Sequence, residues 1–334
     1  MTPKAAERLN RELTLQADDL AARALNSDWG TQLEGKQVKR WGDASGRVLV
    51  HRRDKEVLDW ECGHHPPAPA NDPQLLVIEV DGGRVQMREK NEQTGSRWRE
   101  DKVATISTYL PGDGKEREPE VLVSTHVATM RTTEPFGRLV RLEAERRGLR
   151  QAEQVIALSD AGNWTGPLFD REFNDFVRIV DWRHAQEHLW DCARAARGED
   201  PKAVAVLAER LENWLWNGKA KKVIEALEDE SAKAGPVEPS DGPEHPRRVL
   251  ASNVGYFQNN QEYMKYPEYR RKGWPIGSGV VEAGVKQFNK RVKGTEQFWT
   301  EEGLEPILSL RSLWLSQDDR WQNYWASRTA YLAA

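Results

Sequence analysis

Residues 75–89 read LLVIEVDGGRVQMRE. The first six form a short apolar run, the mark of a strand that is buried where it lies. Asp81-Gly82-Gly83 follows as a turn signal, and RVQMRE resumes the extended texture. The spacing predicts a β-hairpin in which Asp81 closes the first strand.

Downstream, further strands are expected at Lys102–Tyr109 (KVATISTY) and Val121–Thr125. A helix is expected over Glu134–Arg147, with Thr133 as N-cap, Pro135 in its first turn and Gly148 just past its end. VIALS then leads into Asp160, and FVRIV into Asp181. The pattern is helical from His184 to about Ala234. It breaks at GPVEPSDGPEHP and resumes at Arg247–Tyr266. A glycine-rich stretch, GWPIGSG, opens into VVEAGVKQFNKRV, and helices bearing Trp314, Trp321 and Trp325 close the chain.

Upstream of Leu75, residues 3–26 read as an amphipathic helix with Leu9, Leu13 and Leu20 on one side. Residues 27–73 read as irregular, with a short strand at Arg47–His51 and a proline-rich linker, HHPPAPANDP. The order predicts an α/β fold, a mixed sheet with a helical insertion. The expected divisions are 1–73, 74–183, 184–270 and 271–334.

Bulk properties narrow the function classes. No apolar run approaches the roughly 20 residues of a membrane helix. Two cysteines, Cys62 and Cys192, imply no disulfide framework and suit a reducing cytoplasm. Cys62-Gly63-His64-His65 lacks a second ligand pair at zinc spacing. The net charge of -4 counts against a polyanion partner. Charge is uneven, however: Arg247–Lys293 holds ten Lys/Arg against three Asp/Glu.

Asp81, Asp160 and Asp181 each follow an apolar strand. Carboxylates at strand ends can converge on one sheet edge and hold hard divalent cations, which prefer oxygen ligands. Aspartate after a strand is also ordinary turn punctuation, and Asp181 suits a helix N-cap. Glu282 lies in GSGVVEAGVKQFNKRVKG, where Ser278 can cap the helix. At about 100° per residue, Lys286, Lys290 and Lys293 fall within a quarter-turn of Glu282. A carboxylate beside a row of cations suits a phosphate backbone passing over a metal site. A solvated face with an i,i+4 Glu–Lys pair gives the same pattern.

Several blocks together carry a resemblance: IEVDGGRVQMRE, WREDKVATIS, ALSDAGNW, VDWRHAQEHLW and GSGVVEAGVKQFNKRVKGTEQFW with EGLEPILSLRSLWLSQDDRW. In this order, over about residues 75–326, they resemble bacterial insertion-sequence transposases of the DDE type, closest to the Kra group. The resemblance implies an RNase H-like core that cuts and joins DNA with two Mg²⁺ or Mn²⁺ ions. It makes Asp81, Asp160 and Glu282 both catalytic acids and metal ligands, and it matches Asp181 and His184 to an Asp-x-x-His motif supporting the site. DNA is the implied partner, contacted by Lys286, Lys290, Arg291, Lys293, Arg270, Arg271 and Lys272. A homo-oligomer and a cytoplasmic, nucleoid-associated location are implied as well. The region before the first strand is shorter than in the family, so either a truncated DNA-recognition part there or reliance on a separate chain is expected. The alternative is an inactive remnant that only binds DNA or regulates.

Overall fold

The apolar run at 75–80 does form a strand, but the strand does not stop at Asp81. In the computed structural model, which describes residues 22, 26, 27, 32, 34–294 and 297–333, β1 runs unbroken over Leu75–Gln86. The expected hairpin is therefore absent, and Asp81 sits within β1 rather than at its end. The two glycines serve the neighbouring strand instead of a turn. A Cβ on Gly82 would meet the Glu100 side chain at 2.4 Å, and one on Gly83 would meet Asp101 at 2.4 Å.

The strands continue as β2 (Trp98–Leu110), β3 (Glu120–Thr129), β4 (Gln154–Ser159) and β5 (Val177–Val180). They form one mixed five-stranded sheet in the order β3-β2-β1-β4-β5. The helices are α1 (Gly35–Glu61), α2 (Thr133–Arg146), α3 (Thr165–Glu172), α4 (Trp182–Arg197), α5 (Pro201–Trp216), α6 (Ala220–Ala234), α7 (Pro246–Asn260), α8 (Tyr266–Arg271), α9 (Gly279–Val292), α10 (Glu301–Leu315) and α11 (Arg320–Ala333). This is the expected α/β class. The helix expected over residues 3–26 lies almost wholly outside the described residues. The irregular region and short strand expected at 27–73 are overturned: α1 occupies 27 residues there. No helix among the described residues is long and apolar enough to cross a membrane.

The chain divides into two units. The first gathers residues up to Thr108, Val121–Gln154 and Gly279–Ala334. Its core joins Val85, Met87, Val103 and Ala128 of the strands to Val281, Val285, Phe288 and Val292 of α9, with Leu304, Ile307 and Leu308 of α10. The α9 residues recur at helical spacing, so one stripe of the helix is buried against the sheet. Helix α1 packs on α10 so closely that a Cβ on Gly46 would lie 2.3 Å from the Pro306 carbonyl oxygen. Glu305 of α10 accepts from Arg53 (2.8 Å), Thr129 (2.6 Å) and the Met130 amide (2.9 Å). This links helix and strand end through one carboxylate.

The second unit comprises Tyr109–Glu120 and Val155–Ser278. Strands β4 and β5 run parallel, with Ser159 opposite Val180. Every element from Trp182 to Arg271 is helical. Helix α5 shows why. Asp200 caps the Lys202 and Ala203 amides, Pro201 presets the first turn, and Val204, Leu207, Ala208, Leu211 and Leu215 form the buried stripe. Trp182, Trp216 and Tyr266 meet at ring separations of 4.8 and 4.9 Å, and the Tyr266 hydroxyl donates to the Val180 carbonyl.

Candidate functional site

In the second unit the register of β4 and β5 brings two acids out side by side. Ser159 pairs with Val180, so the next residues, Asp160 and Asp181, both leave at the carboxyl edge of the parallel pair. The Asp181 amide donates to the Ser159 carbonyl at 2.8 Å.

Asp181 is fully buried. Its carboxylate accepts from the Arg183 amide at 2.7 Å, which caps α4. It also accepts from the Ser278 amide at 3.2 Å, from the Ser278 hydroxyl, and lies 3.0 Å from Nδ1 of His184. Burial alone would raise this carboxyl. The hydrogen bonds from His184, Ser278 and Arg183 outweigh it and hold the pKa below the ordinary value. His184 responds in the opposite sense. Its hydrogen bond to Asp181 outweighs burial and, with the charges of Asp181, Asp160 and Glu187, pushes it up to about 9. At neutral pH it is an imidazolium with Nδ1–H committed to Asp181 and a second N–H to offer.

Asp160 is half-buried. Its carboxylate accepts from the Gly162 amide at 2.8 Å. Ala161, with φ of +61°, is the only non-glycine residue in the left-handed region among the described residues, a conformation that costs about 1 kcal/mol or more. Tyr256 of α7 steadies this turn, its hydroxyl donating to the Asp160 carbonyl at 3.1 Å. Its ring stacks on His188 at 4.0 Å. Burial, with the charges of Asp160 and Asp181, raises the Tyr256 pKa and keeps the phenol a donor.

In the first unit, β1 alternates so that Glu79, Asp81, Gly83 and Val85 share a face, with Met87 just beyond its end continuing the alternation. Val85 and Met87 pack in one core with α9, and a buried Glu79 oxygen accepts from the Val281 amide at 3.2 Å. Asp81 therefore stands on the face that α9 covers. Its carboxylate accepts from the Gly82 amide at 2.7 Å. Asp101 of β2 is fully buried. Burial, with the nearby charges of Glu100 and Asp81, pushes its pKa up to about 6.

Glu282 occupies the first turn of α9. Lys286 lies 3.6 Å from it as an exposed i,i+4 partner. Lys290 and Lys293 line the same helix and its end, and Lys293 lies 5.4 Å from the Trp98 ring centre. Arg291 sits 5.8 Å from the Trp299 ring. In the second unit, Arg270 stacks 3.7 Å over Trp216 and donates to its carbonyl. Lys272 pairs with Glu268 at 2.8 Å, and Arg271 is exposed.

Sequence reasoning missed Glu79, Asp101 and Tyr256. Glu79 carried a signal, a single acid inside LLVIEV. Asp101 carried a weaker one at the charged start of a strand, and nothing near Tyr256 marked it.

No family model matches this chain, and no curated protein matches it. Among solved structures it is similar to a chain of a Drosophila P element transposase strand transfer complex, at 10% identity with a TM-score of 0.33. That match covers 92% of this chain and 98% of the other, a likeness too slight to carry fold or function.

Proposed function

We propose that this chain is the catalytic core of a DDE-type DNA transposase, with Asp81, Asp160 and Glu282 holding divalent cations at the phosphodiester to be cut and joined. The observation that carries this reading is the placement of Asp81 on the β1 face covered by α9, the helix that bears Glu282. The side-by-side exit of Asp160 and Asp181 from parallel strands supports it. The five-stranded mixed sheet with flanking helices is consistent with an RNase H-like core, and the helices from Trp182 to Arg271 are proposed as its insertion.

The chemistry of the donors fits Mg²⁺ or Mn²⁺, which take carboxylate oxygens. A cation pair held by these residues would supply activation of the attacking oxygen and charge stabilisation of the leaving one. Asp181 and His184 also offer donors that divalent cations accept. His184 would first have to release a proton held to about 9. We therefore assign the metal to the carboxylates and make His184 a hydrogen-bond donor toward phosphate. Asp181 orients that imidazolium, and through Ser278 it fixes the residue preceding α9. Lys286, Lys290, Arg291 and Lys293 supply phosphate contacts along the DNA, with Arg271 and Lys272 in the second unit. Arg270 positions Trp216. Assembly of two copies on two DNA ends belongs to the same proposal.

The test is nicking and strand transfer on supercoiled plasmid with Mn²⁺. The full chain should nick, and Asp81→Ala, Asp160→Ala and Glu282→Ala should each lose activity by about a hundredfold or more while keeping their circular dichroism. DNA binding without any cutting would favour the remnant, and variants as active as the parent would overturn the assignment of the acids.

A further inference from the structure

We propose that Asp101 of β2 is a further ligand to the cation held at Asp81, so that the first unit brings two strand-borne carboxylates to one ion. This deepens the proposed function and rests on it.

Three observations support that role for Asp101. The first is its face. A Cβ on Gly83 would lie 2.4 Å from Asp101 Oδ1, so the Asp101 carboxylate fills the space above Gly83. Gly83 is two residues from Asp81 and shares its side of β1. Asp101 and Asp81 are thus diagonal neighbours on adjacent strands, on the face α9 covers, at a separation of roughly 7–8 Å between backbones that side chains can close. Glu100 points the other way, against Gly82.

The second is the state of its oxygens. Asp101 is 0% exposed, and among the described residues no hydrogen-bond partner reaches Oδ1 or Oδ2. An ionised carboxylate so placed needs donors, and a protonated one needs an acceptor for its O–H and a donor for its carbonyl. Among the described residues, only its own backbone amide acts on this carboxylate, and neither set is complete. A cation satisfies both oxygens.

The third is the paired glycines. Asp81-Gly82-Gly83 is a poor strand sequence, yet it stays in β1, and its missing side chains are what admit the acidic side chains of β2. A Cβ at Gly83 would displace the carboxylate.

The experiment measures Mn²⁺ binding to the full chain without DNA, by electron paramagnetic resonance of free Mn²⁺ and by the cation-induced rise in Tm. Asp101→Asn should weaken Mn²⁺ binding about tenfold or more, and should raise the Tm of the cation-free protein because an unpartnered buried acid is gone. Gly83→Ala should weaken binding with Asp101 still present, which keeps the test open if Asp101→Asn folds poorly. Asp81→Asn is the reference. If Asp81→Asn loses Mn²⁺ while Asp101→Asn and Gly83→Ala stay within twofold of the parent, Asp101 is only a buried acid and this inference falls alone. If Asp81→Asn also stays within twofold, the proposed metal site falls with it.

Discussion

Replacing Asp181 with Asn isolates one charge in the second unit. Asparagine keeps an oxygen to cap the Arg183 amide, so α4 retains its start, while the ion pair with His184 and the bonds that the second oxygen accepts from Ser278 are lost. In the parent, His184 is lifted from 6.5 to about 9, first by the hydrogen bond to Asp181. A tenfold change in proton affinity corresponds to about 1.4 kcal/mol, so the full lift is worth roughly 3 kcal/mol. The His184 side chain is 30% exposed, and solvent screening reduces this to about 1–2 kcal/mol. The folded-state pKa lies above the unfolded one. The stabilisation is therefore complete below pH 6.5 and fades as pH rises through about 9. Asp181 acts at the acid end: its depressed pKa stabilises above 3.8 and is lost as pH falls through the lower folded value. Urea unfolding from about pH 6 to 9.5, with NMR titration of the His184 ring, reads the effect. The parent should lose about 1–2 kcal/mol across that window. Asp181→Asn should show a much smaller decline, with His184 titrating well below the parent because burial is then opposed only by the charges of Asp160 and Glu187. A parent His184 that titrates below about pH 7, or a variant with the same alkaline decline, would refute the reasoning.

Two further outcomes are expected. Replacing Lys286, Lys290 and Lys293 together by alanine should weaken DNA binding equally on all sequences and flatten its salt dependence, because phosphate contacts carry no base information; an unchanged salt slope in a filter-binding series would reduce them to a solvated face. Within α1, Gly46→Ala drives a methyl to 2.3 Å from the Pro306 carbonyl, whereas a methyl at Gly42 meets nothing within 4 Å. Denaturant titration should show Gly46→Ala less stable by about 1–2 kcal/mol net of improved helix propensity, and Gly42→Ala more stable by about 0.5–1 kcal/mol.

Legibility in the sequence followed how local the determinants were. Helix α2, expected over Glu134–Arg147, forms over Thr133–Arg146, because its proline, its cap region and the following glycine are local signals. β4 and β5 were legible as apolar runs of strand length. α1 was not. It contains Gly35, Gly42 and Gly46 and little apolar periodicity, and its stability comes from α10, which no nearby residue announces. The β1 turn was misread for a related reason, since Gly82 and Gly83 answer to side chains on β2 rather than to their own backbone. Among site residues, Asp160 and Asp181 were visible at strand ends, and their neighbouring exit needed only the parallel register. Asp101 depends on which face of β2 meets Gly83, a cross-strand fact that composition does not carry.

The first unit is assembled from three separated stretches of chain, and this sets a timetable for synthesis. The helix that ends at Glu61 packs on one that begins at Glu301, and β1 is covered by a helix that begins at Gly279. At roughly 5–20 residues per second the ribosome takes on the order of ten seconds or more to span that gap. Over that interval α1 and one face of β1 have emerged without their partners, exposed to chaperones and to other nascent chains. A message cut short before Gly279 would yield the complete second unit beside a first unit that cannot close its core. The stretch from Gly279 onward thus decides when α1 and β1 can close their core.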